Sequence, residues 1–319
     1  MFSFDFEKPL QQLEERIRKM KEAGLKDGKN SFEAEIAQLE EELYKTHEEI
    51  YSHLTPWQKV QISRHPDRPS SMDYISHIFD NFIELHGDRN IRDDKSMVGG
   101  FAMLNDKPVM VIAQEKGKST REKQYRNFGM NSPEGYKKSV RLMKLAEKFN
   151  KPVICFIDTP GASPGLDAEK HGQAEAIGKN ISVLLNLKVP TITVIVGEGS
   201  SAGALSIGAC DKVLMMEYTW YSVISPETCS SLLWHDWDHK EEAAESMKIT
   251  ADDLIRFRII DRIIKEPAGG AHKDPEACYK SVRENILSCL AELESSAENI
   301  VDERIKHFIS FGNFADTGA

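Results

Sequence analysis

Val189-Pro190-Thr191-Ile192-Thr193-Val194-Ile195-Val196-Gly197-Glu198-Gly199-Ser200-Ser201-Ala202-Gly203-Ala204-Leu205-Ser206-Ile207-Gly208-Ala209 decides the fold. Its first eight residues, Val189 to Val196, are rich in β-branched types; small residues follow, and then an Ala/Leu/Ile run. That order predicts a strand, a tight turn and the N-terminus of a helix. Backbone N–H groups at such a helix start have no intrahelical acceptor, and the helix dipole places positive potential there. Gly199, Ala202 and Gly203 carry little or no side chain, so a ligand can approach the amides closely. The turn is suited to holding an anion or a developing negative charge.

Outward from this stretch, the same grammar repeats. Lys107-Pro108, Lys151-Pro152 and Val189-Pro190 each precede an apolar, β-rich run, with the prolines 44 and 38 residues apart. Between the runs lie helical patterns over Pro133 to Phe149 and Ala168 to Leu187. Strands separated by helices imply parallel pairing through crossover connections. Val98 to Leu104 adds a strand pair before Val109, as do Val213 to Glu217 and Trp220 to Ile224. The fold class expected is α/β, a β-β-α unit stacked turn upon turn.

Upstream, Leu10, Leu13, Ile17 and Met20, then Ile36, Leu39, Leu43, His47 and Ile50, mark two amphipathic helices. Asn30 or Ser31 is placed to cap the second, giving an antiparallel hairpin with charged outer faces. Thr55-Pro56-Trp57 starts another helix that ends in Arg64-His65-Pro66-Asp67-Arg68-Pro69. Ser71 or Asp73 opens the next, with Ile75, Ile78, Phe79, Phe82 and Ile83 expected on its apolar face. From Pro226 onward the pattern is mostly helical and ends in a charged amphipathic segment.

Composition narrows the function. The 319 residues are 40% hydrophobic with a net charge of −10, which argues against a nucleic-acid or membrane-surface role for the whole molecule. Between Lys116 and Lys148, however, ten Lys/Arg face three Glu, so this segment can meet an anionic partner. Five cysteines without C-x-x-C spacing fit free thiols in a reducing compartment. With no signal sequence and no apolar run of about 20 residues, the expected location is cytoplasmic.

Three known signatures overlay the opening turn. Gly197-Glu198-Gly199-Ser200-Ser201-Ala202 matches G-x-G-x-x-A, with Glu217 about 20 residues on, as in dinucleotide-binding oxidoreductases. That fingerprint normally follows the first strand of its domain, whereas two strand-helix units precede it here. Gly199-Ser200-Ser201-Ala202-Gly203 matches the G-x-S-x-G elbow of serine hydrolases, with Ser201 as nucleophile and His235, His239 or His272 as base. No Asp/His pair stands out to complete it. Gly117-Lys118-Ser119 resembles the end of a phosphate-binding loop, but Ile112 replaces the required glycine. Asp158-Thr159-Pro160-Gly161-Ala162-Ser163-Pro164-Gly165 closes the preceding strand as the opening turn closes its own, so both turns should face one crevice. His235-Asp236-Trp237-Asp238-His239 could chelate a metal, but no third ligand is readable.

The chain resembles the carboxyltransferase alpha subunits of the multi-subunit acetyl-coenzyme A carboxylases of bacteria and plastids. The likeness is carried by Arg64-His65-Pro66, Gly87-Asp88-Arg89, Arg126-Asn127-Phe128-Gly129-Met130, Pro133-Glu134-Gly135-Tyr136 and Phe156 to Ala162. It continues through Tyr221 to Glu227 and Glu266 to His272. The resemblance implies a crotonase-like superhelix of ββα turns over residues 55–295, preceded by a helical hairpin at 1–54 and followed by a tail at 296–319.

It also implies a biotin-dependent carboxyltransferase, active with its beta subunit, that moves a carboxyl group from carboxybiotin to acetyl-coenzyme A, forming malonyl-coenzyme A. Implied partners are a zinc-bearing beta subunit in an α2β2 heterotetramer, the biotin carboxyl carrier protein and biotin carboxylase. No metal is expected in this chain, and no membrane partner. The family places a biotin oxyanion hole at a Gly-Gly pair matching Ala202 and Gly203. Ala at the first position is compatible with backbone donation if that residue needs no positive φ. Arg126 is a candidate to steady a carboxylate, and Gly161, Ala162 and Gly199 to line the substrate.

Overall fold

The computed structural model describes residues 4–27, 32–295 and 299–312. Helices α1 (Lys8–Asp27) and α2 (Glu33–Ser52) form the N-terminal hairpin, α3 (Pro56–Ser63) and α4 (Ser71–Ile78) follow, and then β1 (Asp80–Glu84), β2 (Met97–Leu104) and β3 (Lys107–Gln114). Helices α5 (Thr120–Tyr125) and α6 (Pro133–Lys148) lead to β4 (Val153–Thr159). After α7 (Leu166–Lys170) and α8 (Gln173–Leu185) come β5 (Thr191–Ser200) and α9 (Ser201–Gly208). The remainder comprises β6 (Lys212–Met216), β7 (Trp220–Ser222), α10 (Pro226–Trp234), α11 (Lys240–Met247), α12 (Ala251–Arg256), β8 (Arg262–Ile264), α13 (Pro275–Ser295) and α14 (Ile300–Ile309).

The strands lie nearly in chain order, β1-β2-β3-β4-β5-β6-β8. β2 and β3 form an antiparallel hairpin, and β3, β4, β5, β6 and β8 run parallel. The first half of β5 pairs with β6, while Glu198, Gly199 and Ser200 pair with β7. Thus the two strands expected to pair at 213–224 each join β5 instead of one another.

Both sheet faces are covered, which is why the strands read as unbroken apolar runs. Val109, Val111, Ile154, Phe156, Ile192 and Val194 face a core shared with α4 and α13. Their alternates Met110, Ile112, Cys155, Ile157 and Ile195 face α6, α8, α9 and α12. This period of two follows directly from the pleat.

Local signals hold where side chains cap helices. Thr55 accepts from the Gln58 N–H, and the Gln58 side chain accepts from the Thr55 N–H, closing a capping box before Pro56. Ser70 rather than Ser71 precedes α4, with Asp73 accepting the Ser70 N–H. The proposed cap at Asn30 or Ser31 lies outside the described residues.

Two further expectations need correction. The α4 pattern stops at Ile78, and Phe82 and Ile83 belong to β1. Phe79 is already extended and Asn81 adopts φ 52°, so the chain leaves the helix to pair with β2. The helix expected over Ala168–Leu187 is broken by Gly172, at φ 78°, into α7 and α8. At the C-terminal end, Arg304 is fully buried and fixes α14 to the core. Its guanidinium donates to the Leu184, Leu187 and Val189 carbonyls and pairs with Asp211, which also accepts the Thr191 N–H.

Candidate active site

The parallel strands place the ends of β3, β4 and β5 side by side, at the edge where α/β sheets bind ligands. The opening turn and the 158–165 loop meet there as the sequence predicts. Gly203 is buried, and a Cβ on it would lie 2.7 Å from Ala162 N and 2.9 Å from Gly161 C. Only glycine allows the two turns to touch backbone to backbone. Thr159 holds the second turn: its hydroxyl lies 2.7 Å from the Gly129 carbonyl and 2.9 Å from that of Gly161, and it accepts the Gly161 N–H at 3.0 Å.

Ser201, not Ala202, takes the left-handed conformation, at φ 62°. Ala202 therefore needs no positive φ, and it is exposed at the rim. Ala202 and Gly203 lie in the first turn of α9, where backbone N–H groups have no intrahelical i−4 acceptor. Gly199 sits further back, inside the sheet between β4 and β7, with the Tyr221 ring where its side chain would be. Arg126 ends α5, and its guanidinium donates to the Lys95 carbonyl at 2.7 Å. It thus borders the site through the following 127–131 loop, in which Asn127, Phe128 and Gly129 all have positive φ.

Beside the turns lies a cavity of about 270 Å³, lined by Arg64, Lys116, Phe128, Asp158, Pro160 and Glu198 among others. Its floor is an ion network that sequence reasoning did not assemble. Glu198 pairs with both Arg64 (2.6 Å) and Lys116. Lys116 reaches Asp158 at 2.6 Å, Asp158 accepts the Glu198 N–H at 2.9 Å, and Arg64 also grips Glu227. Gly197 makes this possible, because a side chain there would collide with the Asp158 carboxylate. Burial pushes the Glu198 carboxyl up, but Lys116 and Arg64 outweigh it and hold it down at about 2. The opposite holds for Lys116: burial opposes its charge, and Asp158 and Glu198 raise it.

The competing readings lack their partners. Among the described residues, no imidazole or carboxylate is hydrogen-bonded to Ser201, so the hydrolase elbow has no base. Glu217, required by the dinucleotide reading, is engaged by Lys265 and the Glu266 N–H. His239 bonds Asp236 and stacks on Trp234, and among the described residues no group of three or more His, Cys, Asp or Glu could hold a metal.

Residues 3–312 match a family model described as acetyl co-enzyme A carboxylase carboxyltransferase-like. The chain belongs to this family. It is 51% identical over 97% of its length to the acetyl-coenzyme A carboxylase carboxyl transferase subunit alpha of Chlorobaculum parvum, covering 96% of that protein. To the subunit of the same name from Flavobacterium johnsoniae it is 48% identical, over 98% of this chain and 99% of that one. Among solved structures it is similar to the transcarboxylase 12S hexamer with methylmalonyl-coenzyme A and methylmalonic acid bound, at a TM-score of 0.57 and 19% identity. That match covers 70% of this chain but spans only about two fifths of the transcarboxylase chain, 41%. It supports the crotonase-like fold of carboxyltransferases.

The family likeness explains which motifs the site uses. Arg64, Asp158 and the Phe128-Gly129 turn all come from motifs singled out in the sequence, and the structure brings them around one cavity. Lys116 and Glu198 carry no local signal that they pair, since they are 82 residues apart.

Proposed function

We propose that this chain is the alpha half of a biotin-dependent carboxyltransferase that moves a carboxyl group from carboxybiotin to acetyl-coenzyme A. The observation that carries this reading is the first turn of α9, whose Ala202 and Gly203 N–H groups have no intrahelical acceptor, packed with Gly203 against the backbone of Gly161-Ala162. Carboxybiotin bound there would supply the carboxyl group, and the Ala202 and Gly203 N–H groups would stabilise negative charge on its ureido oxygen. Biotin would also supply the base for the methyl proton of acetyl-coenzyme A. This accounts for catalysis without a protein base at Ser201.

A beta subunit is expected to complete the site. Leu166 and Leu205 are 71% and 38% exposed and lie within a few residues of a site turn, and Val223, 76% exposed, follows the Ser222 that pairs with Ser200. Large apolar side chains left open around a polar site suit a surface that another chain covers. The zinc expected in the assembly belongs to that partner, and the carrier protein delivers the biotin. The basic segment 116–148 suits an acidic carrier or the phosphates of coenzyme A.

Reconstitution tests the reading. The isolated chain should show no malonyl-coenzyme A decarboxylation in the presence of free biotin, and mixing with a cognate C-x-x-C-bearing beta subunit should produce it. Turnover by this chain alone would overturn the dependence on a partner, and an inactive mixture that nevertheless assembles would overturn the reaction.

A further inference from the structure

Beneath the opening turn runs a buried chain of hydrogen bonds outside the proposed donor pair. Gln114, the last residue of β3, is fully buried, as are Asn131 and Ser96. The Gln114 side-chain amide donates to the Gly203 carbonyl at 2.7 Å and to Asn131 Oδ1 at 2.9 Å. Asn131 Nδ2 donates to Ser96 Oγ at 2.8 Å, and the Ser96 hydroxyl donates to Asp94 Oδ1 at 2.6 Å.

The carboxylate at one end dictates the polarity of the whole chain. Asp94 only accepts, so the Ser96 proton is committed to it and Ser96 Oγ must accept from Asn131. Asn131 therefore turns its NH2 toward Ser96 and its oxygen toward Gln114. Gln114 must then present its own NH2, and its second proton reaches the Gly203 carbonyl. That carbonyl also receives the Ser206 hydroxyl at 2.7 Å.

Along a helix, C=O and N–H groups point in opposite directions. Drawing the Gly203 carbonyl into the protein thus aims the N–H of the same residue out of the first turn, toward the proposed oxyanion. Asn131 extends the control to the facing loop, because its main-chain carbonyl accepts the Ser163 N–H at 3.0 Å and the Gln173 side chain at 2.9 Å. One buried amide pair registers three loops.

We propose that Gln114 is a positioning residue for the oxyanion turn, with its donor orientation imposed from Asp94 through Ser96 and Asn131. This rests on the carboxyltransferase reading. Donor groups at such sites must hold their geometry within about 0.5 Å, and a displacement of about 1 Å costs on the order of 100-fold in rate.

The test uses the reconstituted alpha and beta subunits with Gln114→Met and Gln114→Glu. Gln114→Met cannot donate, and kcat should fall about 10- to 100-fold with KM for malonyl-coenzyme A and co-elution with the beta subunit unchanged. Gln114→Glu retains one donor while protonated and none when ionised. Its kcat should therefore fall as pH rises through a carboxyl titration absent from the wild type, while the protein stays folded. If Gln114→Met does not fold, Gln114→Glu carries the test, since its protonated form is its own folded control. Wild-type kcat in both variants, a loss confined to KM, or unfolding that tracks the loss of activity would overturn the assignment. An inactive wild-type mixture would instead strike the functional reading on which it rests.

Discussion

Replacing Gly203 by alanine adds one methyl group at the closest contact in the site. Its Cβ would stand 2.7 Å from Ala162 N and 2.9 Å from Gly161 C, where ordinary contact begins at 3.4 Å. Both obstacles are backbone, so relief requires the opening turn and the 158–165 loop to separate by about 0.7 Å, the shortfall in that contact. Overpacking of this kind costs about 1–3 kcal/mol of stability. The catalytic effect should be larger in proportion, because the methyl displaces the residue that carries one of the two donors. A shift of this size corresponds to about 10- to 100-fold in kcat, or about 1.4–2.7 kcal/mol of barrier. Steady-state kinetics of the reconstituted subunits would measure it, with thermal unfolding and gel filtration as controls. Ala202→Gly is the matched comparison: Ala202 is exposed and has no positive φ, so kcat should stay within about threefold, since surface changes of this kind are small. Wild-type kcat in Gly203→Ala, with the fold intact, would refute the claim that contact between the two turns sets the donor geometry.

Two further outcomes follow from the same geometry. Ser201→Ala should keep kcat within about threefold, and a fluorophosphonate should leave Ser201 unlabelled, because a serine without a base gains little nucleophilicity; covalent labelling would revive the hydrolase chemistry. Glu198, held at about 2 against its ordinary 4.5, stabilises the native state fully above pH 4.5 and loses that contribution as pH falls toward 2. The shift corresponds to about 3 kcal/mol at neutral pH. Urea unfolding of Glu198→Gln between pH 7 and 3 should show a shallower acid loss than the wild type, and parallel curves would show that Lys116 and Arg64 do not depress this carboxyl.

The strands were legible because both faces of the sheet are buried, so β3, β4 and β5 read as apolar runs that need no alternation. The turn at 199–203 is legible because it is an unbroken run of small residues between a strand pattern and a helix pattern. What the local pattern missed depends on tertiary context. Phe82 and Ile83 continue the apolar spacing of α4, yet pairing with β2 draws them into a strand. Gly172 is an ordinary helix-weakening residue on paper, and its φ of 78° shows a full break. The ion network joins residues up to 163 apart in the chain, and the buried chain behind Gly203 joins Gln114 to a carbonyl 89 positions away. Neither pairing leaves a trace in residue spacing. The family motifs did capture Arg64 and Asp158, as isolated words whose connection only the fold supplies.

Three signatures claim the opening turn because all describe one physical device, a strand running into a helix through residues small enough to expose backbone donors. What separates them is the surroundings of the donors. A nucleophile elbow needs an imidazole hydrogen-bonded to its serine, and among the described residues Ser201 has none. A dinucleotide loop needs open space above its glycines for a pyrophosphate, but the Asp158 carboxylate occupies that side of Gly197 and the Tyr221 ring that side of Gly199. The remaining approach is past exposed Ala202, which suits a single oxygen rather than a phosphate chain. Beside it, the cations Arg64 and Lys116 are matched by Glu198, Asp158 and Glu227, so this network carries no surplus positive charge. On the assignment proposed above, charge that appears only during reaction is met chiefly by the Ala202 and Gly203 amides, whose orientation is set before substrate arrives; such a turn favours a developing oxyanion over the neutral group that precedes it.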